Sequence, residues 1–550
     1  MAVTIQQISS LEKVRSTDTL QYPEIERRTV LAGERFSYQI TMLSDPAYYA
    51  RVDVESPLKE HIRVYRVREA NMDYPMHPDV PQEDYITFTP GLMPDILVPL
   101  EEERNTVLLR ARPSTIWVKL DVPKDAKPGI YPILVTFSLH RPGEEASIII
   151  TKEMTVEVIA ARLPEQKIIY TRWFYADCIA DAHQVEIFSD AHWDLMEKYI
   201  AAATDIGVNM ILVPVHTPPL DTEIGTARPC VQLVDIEKVG ETYHFGFDKF
   251  HRFVDICKRN GVRYYEIAHM FSQWGAECAP NILVTENGKT DYLFGWHVAA
   301  NSPEYVEFLK QYIAAIAKEL EAAGISENTY FHISDEPHLD QLEKYRTAAD
   351  LIRPLIGNSK TLDALSHYDF YEKGLVECPV TVVNRMSDFL PHNVPNQWTY
   401  YCCDPTTVYP NAFLAMPSYR IRVLGFLLYK FDIKGFLHWG FNFYNALRSI
   451  YSIDPYQTTS GDKSYPSGDG FIVYPGRNGA YPSIRGEVTF EAMQDATICY
   501  ALEQRIGREA VVAMIDEEAG FPLEFHNYPR HQDFLQNLRA KMVEKLREIS

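Results

Sequence analysis

Residues 330–340 read YFHISDEPHLD, an apolar-alternating segment that runs into two adjacent carboxylates, Asp335 and Glu336, and then Pro337. Side-by-side acids at a strand end suit acid–base chemistry, in which one protonates a leaving oxygen while the other orients a nucleophile and stabilises positive charge. The same pair would also suit a helix start. Pro337 favours extended backbone at Glu336 and a helix after it, with Leu342, Tyr345, Ala349 and Ile352 on the core face, and an acid ahead of a helix caps it. The dipeptide alone leaves both readings open, so the elements around it must decide.

From about residue 166 strands alternate with amphipathic helices. HWDLMEKYIAAATDIG ends at Gly207 before VNMILVPV, and KFHRFVDICKRNG ends at Gly261 before VRYYEIAHM. SPEYVEFLKQYIAAIAKELEAAG takes Ser302 as its N-cap, Pro303 as its first residue, and Val306, Leu309, Ile313, Ile316 and Leu320 as its buried face. The strand candidates are IIYTRWFY, VNMILVPV, VRYYEIAHM, NTYFHISD, KTLDAL, VTVVNRM, QWTYYCC and GFLHWGFN. They number eight, as a (β/α)8 TIM-type barrel requires, and in such a barrel chemistry sits at the C-terminal strand ends. No GxGxxG or GxxxxGK[ST] loop follows any of them, which argues against an open nucleotide-binding sheet.

The strand ends carry Trp173 and Asp177; His216 and Asp221; His269, Gln273 and Trp274; Asp335 and Glu336; Asp363; Asn384 and Arg385; Tyr400, Tyr401 and Asp404; then His438, Trp439, Asn442 and Tyr444. Aromatic rings with amides and histidines are what a sugar needs, because its apolar faces stack and its hydroxyls take directed hydrogen bonds. His216, His269, Trp274, Trp439 and Asn442 are the candidate sugar ligands, and Asp335 and Glu336 the candidate catalytic acids. The Gly- and aromatic-rich SYPSGDGFIVYPG, with Asp469, reads as a rim loop forming a wall of the site. Neither His216 nor His269 has a carboxylate or Cys at a recognised ligand spacing, so no metal and no cofactor is expected.

Residues 1–163 hold short alternating segments separated by Pro-, Gly- and Asp-rich turns, which predicts an N-terminal antiparallel β-sandwich. The barrel is expected over 164–510, and 511–550 as a C-terminal helical extension packed on it. A net charge of −22 and a pI near 5.3 oppose a nucleic-acid partner or an anionic membrane surface. MAVTIQQISSLEKVRS has no basic leader or long apolar run, and no stretch reaches the roughly 18 apolar residues of a membrane span, so a cytoplasmic protein is expected. The eight scattered cysteines, with Cys402 and Cys403 adjacent, read as reduced thiols with no disulfide or zinc.

Two mechanisms compete for the paired acids. A retaining glycosidase of the two-carboxylate kind needs a second acid about 5 Å across the site. In one large clan of barrel enzymes Asn-Glu-Pro stands at the fourth strand and a Glu on the seventh; here Asp replaces the Asn and YYCCD occupies the seventh. Substrate-assisted hydrolysis instead uses the sugar's own 2-acetamido oxygen as nucleophile and needs two close carboxylates.

ILVPVHTPPLDTEIG, HMFSQWGAECAP, YFHISDEP and GFLHWGFNFYN resemble glycoside hydrolase family 123, the β-N-acetylgalactosaminidases and their relatives, over roughly residues 170–505. The resemblance implies an exo-acting, retaining, substrate-assisted hydrolase. Glu336 would be its general acid/base, Asp335 would orient the acetamido group, and Tyr401 would bond the acetamido oxygen. The implied substrate is a small oligosaccharide or glycoside ending in a 2-acetamido sugar, with a homo-oligomer left open. Alternatives are β-N-acetylglucosaminidase specificity, a two-carboxylate glycosidase, or a carbohydrate-binding protein without activity.

Overall fold

Alternation in GIYPILVTFSLH places Ile133, Val135, Phe137 and Leu139 on one face, and all four are fully buried. The computed structural model describes residues 2–77, 84–146, 148–273 and 275–549, and the predicted sugar ligand Trp274 lies outside them. The N-terminal strands are β1 (Ala2–Ser9), β2 (Arg27–Ala32), β3 (Arg35–Asp45), β4 (Tyr48–Glu55), β5 (Ile62–Met72), β6 (Gly91–Pro99), β7 (Thr106–Leu109), β8 (Ser114–Asp121), β9 (Gly129–His140) and β10 (Ile148–Arg162). They form two five-stranded sheets ordered β1-β3-β8-β5-β6 and β2-β10-β9-β4-β7, with an apolar layer that includes Ile40, Val118, Val135 and Val156. One pair departs from the antiparallel expectation: β2 and β10 run parallel. Most of the sandwich intervenes between them, so no hairpin constrains their direction.

The next strands are β11 (Ile169–Arg172) and β12 (Met210–Val213), a hairpin of β13 (Asp235–Val239) and β14 (Thr242–Gly246), and β15 (Tyr264–Ile267). A second hairpin, β16 (Ile282–Glu286) and β17 (Lys289–Phe294), precedes β18 (Thr329–Phe331), β19 (Lys360–Ala364), β20 (Cys378–Val382), β21 (Trp398–Tyr400) and β22 (Gly435–His438). A closed parallel barrel runs β11-β12-β15-β18-β19-β20-β21-β22, drawing on all eight expected segments in order. The two hairpins combine into a four-stranded sheet, and β23 (Tyr474–Gly476) pairs with β24 (Gly479–Tyr481).

The helices are α1 (Ala176–His183), α2 (Asp190–Asp205), α3 (Asp248–Arg259), α4 (Pro303–Ala322), α5 (Leu342–Ile352), α6 (Asp369–Glu372), α7 (Met386–Phe389), α8 (Tyr419–Arg422), α9 (Leu424–Lys430), α10 (Ile484–Ile506), α11 (Arg508–Ala519) and α12 (Gln532–Ile549). After β19 and β20 the crossovers hold only the four-residue α6 and α7 besides 3-10 turns, so regular strand–helix alternation is thinned there. In α4 the Ser302 hydroxyl accepts the Tyr305 amide at 3.4 Å. The buried face of α4 holds the expected Leu309, Ile313, Ile316 and Leu320 but leaves Val306 only half-buried, while Tyr305, Phe308 and Tyr312 join it and pack against Phe294 and Phe245. None of the described helices is long and apolar enough to cross a membrane.

The C-terminal α12 packs on α10 and α11 and also on β2 and β10, where Arg539 pairs with Glu34 and donates to the Thr29 carbonyl at 3.1 Å. It therefore bridges sandwich and barrel rather than lying on the barrel alone. The junction is also charged: the buried Lys119 ammonium lies 2.7 Å from Glu487 and 2.8 Å from Asp205, and Arg485 pairs with Asp95 at 2.9 Å. Removing one partner from such a buried pair costs about 3–5 kcal/mol.

Candidate active site

Side-chain direction in β21 is set deep in the barrel. Trp398 contacts Tyr330 of β18, a strand that is not its neighbour, so this contact (centroids 5.8 Å apart) crosses the interior. Trp398 is paired with Gly435, where a Cβ would sit 2.1 Å from the indole, so only glycine fits. Two residues on, Tyr400 faces inward as well and reaches the barrel mouth, while Tyr401 faces outward against Phe436 and His438 at 4.9 and 5.5 Å.

At that mouth lies a cavity of about 210 Å³ walled by Trp173, Tyr175, Trp439 and Tyr465, with Asp335, Glu336, Tyr400, Gln273 and Asp221 as its polar lining. Leu220, Ala364, Cys402, Cys403, Leu437, Leu447 and Ser464 complete it. Larger depressions of about 590 and 1020 Å³ lie on the sandwich and against the β13–β14 hairpin, but neither gathers the convergent acids and rings of the barrel mouth.

Asp335 and Glu336 follow β18 and do not cap the next helix. That role falls to His338 and Gln341, where the Gln341 side-chain oxygen accepts the His338 amide at 2.9 Å. Glu336 is not extended as its place before proline suggested: its φ is +44°, in the left-handed region. Its amide donates to the Ala364 carbonyl at 3.1 Å and its Oε1 accepts the Tyr400 hydroxyl, so bonds to β19 and β21 hold the strained turn. Asp335 Oδ2 accepts from Gln273 Nε2 at 3.1 Å, and Gln273 Oε1 in turn accepts the Asp221 amide at 2.6 Å. Burial, and then the adjacent Glu336, push the Asp335 carboxyl up to about 8, against the opposing effects of Gln273 and His332. Asp221 is pushed up to about 6 by burial.

Trp439 lines the cavity as expected, with its indole Nε1 donating to Asp469 Oδ2 at 2.8 Å. Asp469, from the predicted wall segment, thus stands behind the wall and orients it; burial pushes its carboxyl up to about 7. Among the described residues, the expected ligands His216, His269, Asn442 and Tyr401 do not line the cavity. His216 is fully buried and donates from Nε2 to the His269 carbonyl at 2.9 Å, with its pKa pushed down to about 4 by burial. His269 stacks on His332 with centroids 4.1 Å apart and planes 13° from parallel. Asn442 exchanges two 2.9 Å hydrogen bonds with the Tyr175 backbone, so it positions a cavity residue from behind. Tyr401 is buried and its hydroxyl has no hydrogen-bond partner. Asp177 is ion-paired with Arg228 at 2.5 Å, beneath Tyr175.

Below the cavity, His332 Nδ1 lies 3.2 Å from Asp363 and Nε2 3.4 Å from Glu266, all fully buried. A neutral imidazole has one N–H, so two facing carboxylates call for the imidazolium, and these partners, outweighing burial, hold His332 up at about 9. His269, His332 and Asp363 offer ligand atoms within 4.8 Å of one another. Both His332 nitrogens face carboxylates and the two rings are nearly parallel, so their in-plane lone pairs do not converge on one ion.

Gln273, Asp221 and Tyr400 stood among the strand-end residues but not among the expected ligands. The parity of β21, anchored by Trp398 opposite Gly435, was the available signal for Tyr400.

The family model described as the glycoside hydrolase 123 catalytic domain matches residues 173–502. No curated protein matches the chain in sequence. A solved family 123 glycoside hydrolase from Clostridium perfringens, described in terms of glycolipid glycan hydrolysis, superposes with a TM-score of 0.72 at 15% identity, covering 100% of this chain and 98% of that one. A β-glucuronidase from Bifidobacterium dentium matches with a TM-score of only 0.33 at 11% identity, covering 89% of this chain and 66% of that one.

Proposed function

The chain belongs to glycoside hydrolase family 123, and from that premise we propose that it releases terminal β-linked N-acetylgalactosamine with retention, through an oxazolinium intermediate formed by the substrate's own acetamido group. The observation that carries this reading is the adjacent Asp335–Glu336 pair in one small cavity, each acid held by a different partner. With Oδ2 bonded to Gln273, Asp335 in its ionised form has Oδ1 left to accept the acetamido N–H, which raises the nucleophilicity of the acetamido oxygen, and the cationic ring that forms in turn favours that ionised form over the protonated one that burial promotes. Glu336 gives its proton to the leaving oxygen and then, as carboxylate, takes one from the water that opens the intermediate. The Tyr400 hydroxyl orients Glu336 for both transfers, and Trp439 and Trp173 offer ring faces to the sugar. At about 210 Å³ the cavity is smaller than the roughly 300–1,000 Å³ of drug-sized sites, which suits a single terminal sugar and exo action.

A second reading draws on Asp221, a third carboxylate lining the cavity, which would act as nucleophile in a two-carboxylate mechanism. Release of p-nitrophenol from β-GalNAc, β-GlcNAc and β-galactose glycosides separates the two. Substrate assistance requires the 2-acetamido group, so turnover should be confined to acetamido sugars, with preference for the galacto form. Glu336→Gln should abolish turnover of poor leaving groups, and Asp335→Asn should lower kcat/KM by about 100-fold or more. Hydrolysis of the β-galactoside at a similar rate would replace the acetamido mechanism with the two-carboxylate one.

A further inference from the structure

Asp221 sits in the loop after β12, and nearly all of its bonding capacity is committed to protein. Its amide goes to Gln273 Oε1 at 2.6 Å, its carbonyl accepts the Ser449 hydroxyl at 2.7 Å, and its Oδ2 accepts the Arg448 amide at 3.0 Å. The neighbouring Glu223 amide donates to the Arg448 carbonyl at 2.8 Å, so two rim loops are stitched together at this point. The contact is made with strained backbone on both sides: φ is +43° at Asp221, +55° at Arg448 and +54° at Ser449, none of them glycine. Left-handed non-glycine residues are strained and persist where surrounding structure over-determines them, typically at ligand sites. The outcome of this strain is one carboxylate placed in the cavity wall with Oδ1 uncommitted to the backbone bonds that hold Oδ2.

The Gln273 side-chain amide bridges the Asp221 backbone N–H and Asp335 Oδ2, and both acids line the same cavity. A sugar whose acetamido group, on carbon 2, lies against Asp335 brings its next substituent on that side, the carbon 3 hydroxyl, toward Asp221. We propose that Asp221 is a substrate-binding residue whose carboxylate accepts the 3-hydroxyl of the terminal acetamido sugar. The assignment rests on the reading of Asp335 as the acetamido partner. It also makes a free 3-hydroxyl a requirement, so that a sugar substituted at carbon 3 is excluded and the enzyme acts only where the chain ends. The carboxyl's pKa of about 6 leaves it ionised, and so an acceptor, at neutral pH.

The test is a cycle between enzyme and substrate. Wild type and Asp221→Asn, which keeps an acceptor for the Arg448 amide but removes the charge, are assayed on the p-nitrophenyl β-glycoside of N-acetylgalactosamine and on its 3-deoxy analogue. Loss of a charged hydrogen bond predicts that kcat/KM falls about 10- to 100-fold on the full sugar, with less than about 3-fold difference between enzymes on the 3-deoxy sugar. Equal losses on both substrates overturn the assignment, and abolition of all turnover by Asp221→Asn overturns it in favour of a nucleophilic Asp221. If wild type hydrolyses neither glycoside, calorimetric binding of N-acetylgalactosamine and 3-deoxy-N-acetylgalactosamine to the same two proteins completes the cycle. Coupling there upholds the Asp221 contact while the hydrolytic reading falls; no coupling, or no binding, overturns the contact.

Discussion

Gln273 Nε2 donates to Asp335 Oδ2 at 3.1 Å, and the direction of this bond is forced from the other end. The Asp221 backbone N–H can only donate, so Gln273 must offer it Oε1 and turn its amide nitrogen to Asp335. The bond favours the ionised, accepting form of Asp335 against the burial that keeps its carboxyl protonated. Gln273→Leu removes that donor and leaves a buried acid with less reason to ionise. The expected result is a fall in kcat/KM of about 10-fold or more, with the acidic limb of the pH profile displaced upward. A loss that is uniform across pH would show Gln273 to be a loop staple only.

Tyr400 and Tyr401 should separate cleanly despite being adjacent. Tyr400→Phe removes the hydroxyl that Glu336 accepts and should cut kcat about 10- to 100-fold, most on poor leaving groups. Tyr401→Phe removes a buried hydroxyl with no partner and should leave kcat/KM within about 3-fold of wild type, with unchanged or higher Tm. Steady-state kinetics and thermal melts on the two variants check this, and the reverse ranking would mean that Tyr401 reaches the sugar.

Asp469 does not line the cavity, yet it bonds the indole of Trp439, which does. Asp469→Asn weakens a charged acceptor to a neutral one and frees the ring to turn. KM should rise several-fold while kcat changes less, because stacking acts on ground and transition states alike. A fall confined to kcat would assign Asp469 a part in the chemistry itself.

Stability should fall in mild alkali. His332 is held up at about 9 against an ordinary 6.5, so its contribution is complete below about 6.5 and is lost as pH rises through 9. Asp335, at about 8 against 3.8, and Asp469, at about 7, also bind protons more tightly when folded, so each destabilises the fold as pH rises toward those values. Asp335→Asn cannot ionise and should melt at least about 2 °C above wild type at pH 8.5, with a smaller gap at pH 5. Differential scanning calorimetry across pH 5–9 reads this directly, and parallel Tm curves would show that Asp335 titrates normally.

Local pattern determined much of this protein. Alternating runs and glycine-closed amphipathic helices were enough to mark all eight barrel strands in order, and the place of Asp335 and Glu336 at the end of the fourth followed from the same pattern. Trp439 at the eighth strand end was legible for the same reason. What the pattern did not decide is facing. Tyr400 and Tyr401 are equivalent as composition, and only the pairing of Trp398 with Gly435 sets the parity that turns one to the cavity and the other to the outer packing. His216 and His269 lie at strand ends yet are fully buried away from the cavity, His216 beside Tyr312 of α4 and His269 stacked on His332, and Asn442 spends its amide on the Tyr175 backbone. The left-handed turn at Glu336 contradicts its local preference before proline, because bonds from β19 and β21, remote in sequence, hold it there. Propensity acts over a few residues, whereas register and long-range hydrogen bonds exist only once the barrel has closed.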